Sequence, residues 1–171
     1  MAINIDFKDE DDLDCVNGVL DLIRKFDRYS TTIVGTGKGR RNAELVRKNP
    51  RLCTFMGSAD FLKLFFGHFT LTACWYSYDC EAAQLPYMTR GFVEMIGSVR
   101  SRMNCCVRGI MSLSIFLLQM FNLTADSAID NLNRRGIFTS YWVLNEESEA
   151  IFLALNSSVQ GIMTDRPKAV N

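Results

Sequence analysis

The chain opens on Ile3-Asn4-Ile5-Asp6-Phe7-Lys8, where apolar and polar residues alternate with the period of two that marks a β-strand. Carboxylates crowd Asp9 to Asp12, the charge favoured at the positive end of a helix dipole. Leu13, Val16, Leu20, Ile23 and Phe26 then recur at three- and four-residue spacing, which predicts an amphipathic helix over about 10–28. Thr31 to Val34 is short, β-branched and closed by Gly35, the pattern of a buried strand. Asn42 to Lys48 predicts a second helix, stopped near Pro50, and Arg51 to Met56 a third strand ending at Gly57. Strand and helix in strict alternation predict a parallel sheet with crossover helices.

The middle interrupts that rhythm. Leu64 to Tyr78 and Gly109 to Ala125 carry no Asp, Glu, Lys or Arg, and each falls short of the ~20 apolar residues that span a bilayer. Between them, Tyr87 to Arg108 mixes arginines with apolar residues. Two readings stay open here, buried helices or a membrane-seated insertion. The alternation then returns. Ala125 to Arg134 predicts a helix, Gly136 a turn, Ile137 to Leu144 a strand ending at Asn145, Glu146 to Ser157 a helix, and Gly161 to Asp165 a last strand before Pro167. The expected organisation is one α/β domain with a hydrophobic insertion at about 61–125.

At 171 residues, 48% hydrophobic and 22% charged, the chain is long and apolar enough for a sizeable core, which excludes wholesale disorder. Nineteen basic residues balance nineteen acidic ones, so no nucleic-acid binding through bulk electrostatics is expected. The single histidine, His68, excludes a His-rich zinc site or a two-histidine mechanism built from this chain alone. Six cysteines, without a CxxC pair and with six carboxylates instead of a basic region across Met1 to Asp14, predict reduced thiols and an intracellular setting. In that setting the sequons at Asn122 and Asn156 are chance matches.

Gly136 to Leu144 with Asn145-Glu146-Glu147, followed by Gly161-Ile162-Met163-Thr164-Asp165-Arg166-Pro167, resembles the last two strand-helix units of the glycerophosphodiester phosphodiesterases. Ile3 to Lys8 is similar to a mid-barrel strand of that family, which reads apolar-x-Ile-Glu-x-Lys. The hydrophobic middle, through Leu85-Pro86-Tyr87-Met88, is similar to the membrane-associated members that release choline or ethanolamine from lysophospholipids. The resemblance is strongest over 136–167, looser over 1–60, and rests mainly on hydrophobic character over 61–125. It implies an incomplete TIM (β/α)8 barrel, roughly the last five strand-helix units, with the site at the C-terminal strand ends. The implied activity is metal-dependent hydrolysis of phosphoric diesters, on glycerophosphodiesters or lysophospholipids at a membrane surface. The family's His-Arg-Gly, Glu-x-Asp and His-Asp motifs have no counterpart here and would lie upstream of Met1, so this chain alone is expected to be inactive. In the family two upstream histidines serve as general acid and base, and a divalent cation, Mg²⁺ or Ca²⁺, polarises the phosphoryl oxygens. The alternative is a non-catalytic remnant of the same fold that binds a membrane or a partner.

The resemblance implies roles for four residues. Asp6 stands where the family has a metal-holding Glu, one methylene longer; it reads either as a metal ligand, if the upstream ligands are supplied, or as a helix cap. Lys8, two residues on and so on the same strand face, would set its positive charge against the substrate phosphate, or is a surface lysine. Trp142 would line the pocket and face a choline head group, with Asn145 beside it; a core Trp is the other reading. Asp165 is expected to shape its loop. Gly35 to Arg41 resembles a phosphate cradle but matches neither the P-loop nor the dinucleotide fingerprint, and reads as a flexible loop at a strand end. His68 is expected to be buried or interfacial, and Cys105-Cys106 beside Arg102 and Arg108 suggests a palmitate acceptor.

Overall fold

The computed structural model describes residues 3–9, 12–100, 103–142 and 144–166. Glu10, Asp11, Arg102 and Pro167, drawn on above, lie outside them. The fold is mixed α/β, with two small parallel sheets and seven α-helices among the described residues; they form no closed barrel. The chain divides after Ala83 into two compact units.

In the first unit, β1 (Ile3–Asp6), β2 (Thr32–Gly35) and β3 (Cys53–Thr54) make a parallel sheet in chain order. Ile3 pairs with Thr32 and Asp6 with Gly35, and the ladder runs one bond further as the Phe7 N–H donates to Gly35 C=O (2.9 Å). A parallel bridge joins Phe55 to Ala82. Helix α1 (Leu13–Lys25) starts where the Asp12 side chain accepts from the Cys15 N–H (3.0 Å) and ends with Arg24 and Lys25 at its negative pole. Val16 and Ile23 turn inward onto Phe7, Tyr29, Val34, Leu45 and Leu52, the core of this unit. The two ends of the expected stripe, Leu13 and Phe26, are exposed, because the helix begins at Leu13 and Phe26 has already left helical geometry. Helix α2 (Gly39–Lys48) begins three residues before the expected start, and α3 (Ser58–Phe69) follows β3 directly. Of the aromatic run, Phe65 is buried, whereas Phe66, Phe69 and Trp75 are exposed.

Strand β4 (Ala82–Pro86), which begins in the last two residues of the first unit, β5 (Phe138–Trp142) and β6 (Gly161–Ile162) again lie in chain order, with β5 and β6 parallel. Helices α4 (Arg90–Arg100), α5 (Cys105–Thr124) and α6 (Asp126–Arg134) separate β4 from β5, and α7 (Glu147–Asn156) separates β5 from β6. Gly136, at φ 79°, makes the left-handed turn that closes α6, as the sequence leads one to expect. Leu85, Phe121, Ile129, Leu132, Tyr141 and Leu144 are buried to the last 1% or less.

The middle of the chain holds two features that the sequence pattern did not reveal. The stretch read as an insertion contains a regular strand, β4. The second apolar run belongs to α5, which has 20 residues with only 6% of its apolar window buried, and is apolar enough to cross a membrane by length and composition.

Candidate functional site

The C-terminal end of β1 presents Asp6 and Lys8 together, their side chains joined in an ion pair, with Asp6 partly shielded and Lys8 almost wholly in solvent. Because Asp6 is in register with Gly35, the pair stands beside the connection that leaves β2. That connection is clamped, which corrects the flexible-loop expectation. Asn42, buried in the first turns of α2, accepts from the Thr36 N–H (2.8 Å) and donates to Thr36 C=O (3.0 Å) and Phe55 C=O (2.9 Å). The Thr36 hydroxyl accepts from the Lys38 N–H (2.8 Å), and the Ser58 N–H donates to Gly37 C=O (2.8 Å). Gly39 and Gly57 approach so closely that a Cβ on Gly57 would sit 2.4 Å from Gly39 Cα. The ends of β2 and β3 are thus held by one amide and one glycine contact.

A hard divalent cation takes about six oxygen ligands or more. Among the described residues no three Asp, Glu, His or Cys side chains converge, and Asp6 is already engaged by an ammonium group. The residues present therefore do not by themselves fit a resident Mg²⁺ or Ca²⁺.

In the second unit the Trp142 ring meets Phe92 edge-on at 6.2 Å while remaining over a third exposed, and its carbonyl accepts from the Tyr87 N–H (3.3 Å). Tyr87 stacks edge-on against Tyr141 at 5.1 Å, and burial, with Glu149 nearby, pushes its phenol up. Asn145 works inside the protein. Its Oδ1 accepts from the Asp165 N–H (2.9 Å) and the Thr164 hydroxyl (3.1 Å), and its Nδ2 donates to Asp165 Oδ2 (3.3 Å). It ties the end of β5 to the loop after β6, with Asp165 as its partner there.

His68 is half-buried in the last turn of α3 against Phe69, and burial lowers its basicity. All six cysteines are unbridged, with Cys105 and Cys106 exposed at the start of α5. Cys80 is the buried one; burial, reinforced by Asp60, Glu81 and Asp79, pushes its thiol up to about 12 from 9.0. The folded state holds this proton more tightly than the unfolded state. Its contribution to stability is therefore complete below pH 9.0 and is lost as pH rises from there towards 12. We expect the urea midpoint to fall across that window, Cys80→Ala to flatten the fall, and maleimide to modify Cys80 only on unfolding. Equal labelling of Cys80 and Cys105 in the native chain would contradict this.

Sequence reasoning missed Asn42 and Gly57. Their one available signal was spacing, since Asn42 lies one turn before buried Leu45 on the same helix face. No protein-family model matches the chain, and no curated protein matches it.

Proposed function

We propose that the chain is the C-terminal part of a phosphoric diester hydrolase barrel, membrane-associated and acting on glycerophosphodiesters or lysophospholipids. The observation that carries this reading is the Asp6–Lys8 pair at a parallel strand end, in register with the clamped Gly35–Lys38 connection. Strand order within each sheet follows the chain, with helices between successive strands, which is the local connectivity of an incomplete (β/α)8 barrel. In this reading Lys8 lends positive charge to the phosphate, and Asp6 is one carboxylate of a larger donor set. Ligands beyond the described residues complete that set for Mg²⁺ or Ca²⁺.

A second reading, a non-catalytic membrane-associated remnant, is favoured by one observation: Asp6 is paired with Lys8, and among the described residues no group of three Asp, Glu, His or Cys side chains converges. Choline release from glycerophosphocholine and lysophosphatidylcholine, with Mg²⁺ or Ca²⁺ added, separates the two. The 171-residue chain is expected to be inactive. A longer native chain with His-Arg-Gly and Glu-x-Asp ahead of Ile3 is expected to turn over and to lose about 100-fold in kcat on Asp6→Ala. A native chain that starts at Met1, or turnover indifferent to Asp6→Ala, overturns the hydrolase assignment.

A further inference from the structure

We infer that α5 is an interfacial anchor, lying along one lipid leaflet with the face through Ile110, Leu113 and Phe116 in the acyl region, and that it does not cross the bilayer. The inference refines the membrane-associated part of the reading above.

Three observations name lipid as the occupant of this face. First, α5 is apolar without being a core helix: its best 18-residue window has a mean hydropathy of 1.5, yet only 6% of it is buried. Ile110, Leu113 and Phe116 are 67%, 59% and 56% exposed, at a three-residue spacing that keeps them to one side. Second, the hydroxyl groups along the helix are paired within it. The hydroxyls of Ser112, Ser114 and Thr124 donate to the carbonyls of Arg108 (2.8 Å), Ile110 (3.0 Å) and Met120 (2.8 Å). Such pairing lets these hydroxyls enter lipid, which offers no partner to a polar group. The only charged side chain of α5 is Arg108, in its first turn, so nothing along the rest of the helix specifies a charged partner. Third, the stripe opens into a recess. Phe116, Met120 and Leu123 line a cleft of about 310 Å³ with Tyr87, Met88 and the amides Gln119 and Asn122, large enough to take part of an acyl chain.

The far end of the helix sets its orientation. Phe121 is fully buried, and Asn122 accepts from the Met88 N–H (2.9 Å) while donating to Pro86 C=O (2.9 Å). Helix α6 begins at Asp126, immediately beyond. The last turn of α5 therefore belongs to the folded unit and cannot enter hydrocarbon. What remains free, Val107 to Met120, measures about 21 Å at 1.5 Å per residue, short of the ~30 Å that a crossing requires. A helix fixed at one end, too short to cross and apolar on its open side settles in the interface.

The test uses the full chain and phosphatidylcholine vesicles. The chain is expected to float with them in high salt, because the attraction is apolar and not coulombic. Ile110→Glu with Phe116→Glu is expected to cut the vesicle-bound fraction by about tenfold or more, while circular dichroism stays native because both side chains are exposed. In sealed vesicles, a membrane-impermeant maleimide added outside is expected to label Cys105, Cys106 and an introduced Thr124→Cys alike, read by peptide mass mapping. Failure to float, flotation indifferent to the two glutamates, or protection of one helix end each overturns the proposal. So does a vesicle-free dimer that the glutamates abolish, which would assign the face to a second copy. Should the glutamate variant fail to fold, the labelling pattern of the Thr124→Cys chain decides alone. Flotation is scored without substrate, so a failed anchor is told apart from a failed hydrolase.

Discussion

Gly57→Ala is expected to destabilise the first unit by about 3 kcal/mol, read as a lower urea midpoint. The cause is steric and not conformational, since Gly57 sits in extended backbone (φ −79°, ψ 168°) that alanine adopts freely. The new Cβ would meet Gly39 Cα at 2.4 Å and Gly39 N at 2.5 Å, and both are backbone atoms with no rotamer to escape into. Relief requires the start of α2 or of α3 to shift, yet the Ser58 N–H already holds Gly37 C=O and Asn42 holds Phe55 C=O. The reciprocal change is the control. A Cβ on Gly39 would lie 3.8 Å from Gly57 Cα, an ordinary contact, so Gly39→Ala is expected to stay within about 1 kcal/mol of the parent. Equal losses for the two variants would refute the assignment.

Asn42→Ala is expected to cost a similar amount, about 3 kcal/mol. The side chain is only 4% exposed, and its amide serves three backbone groups on two different connections. Truncation leaves the Thr36 N–H and the Phe55 carbonyl buried without that partner, and a polar group left so costs more than an average hydrogen bond contributes. Asn42→Asp keeps the acceptor for Thr36 but removes both donors and buries a charge, so it is expected to be at least as damaging. Amide hydrogen exchange gives a local readout: the Thr36 N–H should exchange much faster in either variant. A loss below about 1 kcal/mol, with Thr36 still protected, would show that Asn42 does not hold the connection.

The parts of the fold that were legible in the sequence are those decided locally. Alternation named β1, the acidic run located the start of α1 through Asp12, and Gly136 announced a turn that requires positive φ. Strand β4 escaped because Ala82-Ala83-Gln84-Leu85-Pro86 has no β-branched or aromatic residue; its two alanines are almost wholly buried, and close packing selects it, not propensity. The extent of α5 escaped because its apolar run starts at Gly109, whereas Asn104 caps the helix a turn earlier by accepting from the Val107 N–H (3.0 Å). At the candidate site, the adjacency of Asp6 and Lys8 followed from strand periodicity. The roles of Asn42 and Asn145 did not, since each amide is committed to backbone distant in sequence, which one residue's identity cannot reveal.

The connection Thr36–Lys38 can vary at Gly37 but is fixed in length. Gly37 would carry a Cβ into open space, so its side chain can vary. One added residue, however, would carry Asn42 away from Thr36 and Phe55 and pull Gly39 from Gly57 at the same moment. Insertions used to graft a tag, a loop or a second domain should therefore be refused here, although the position lies at a strand end, where insertion is commonly tried.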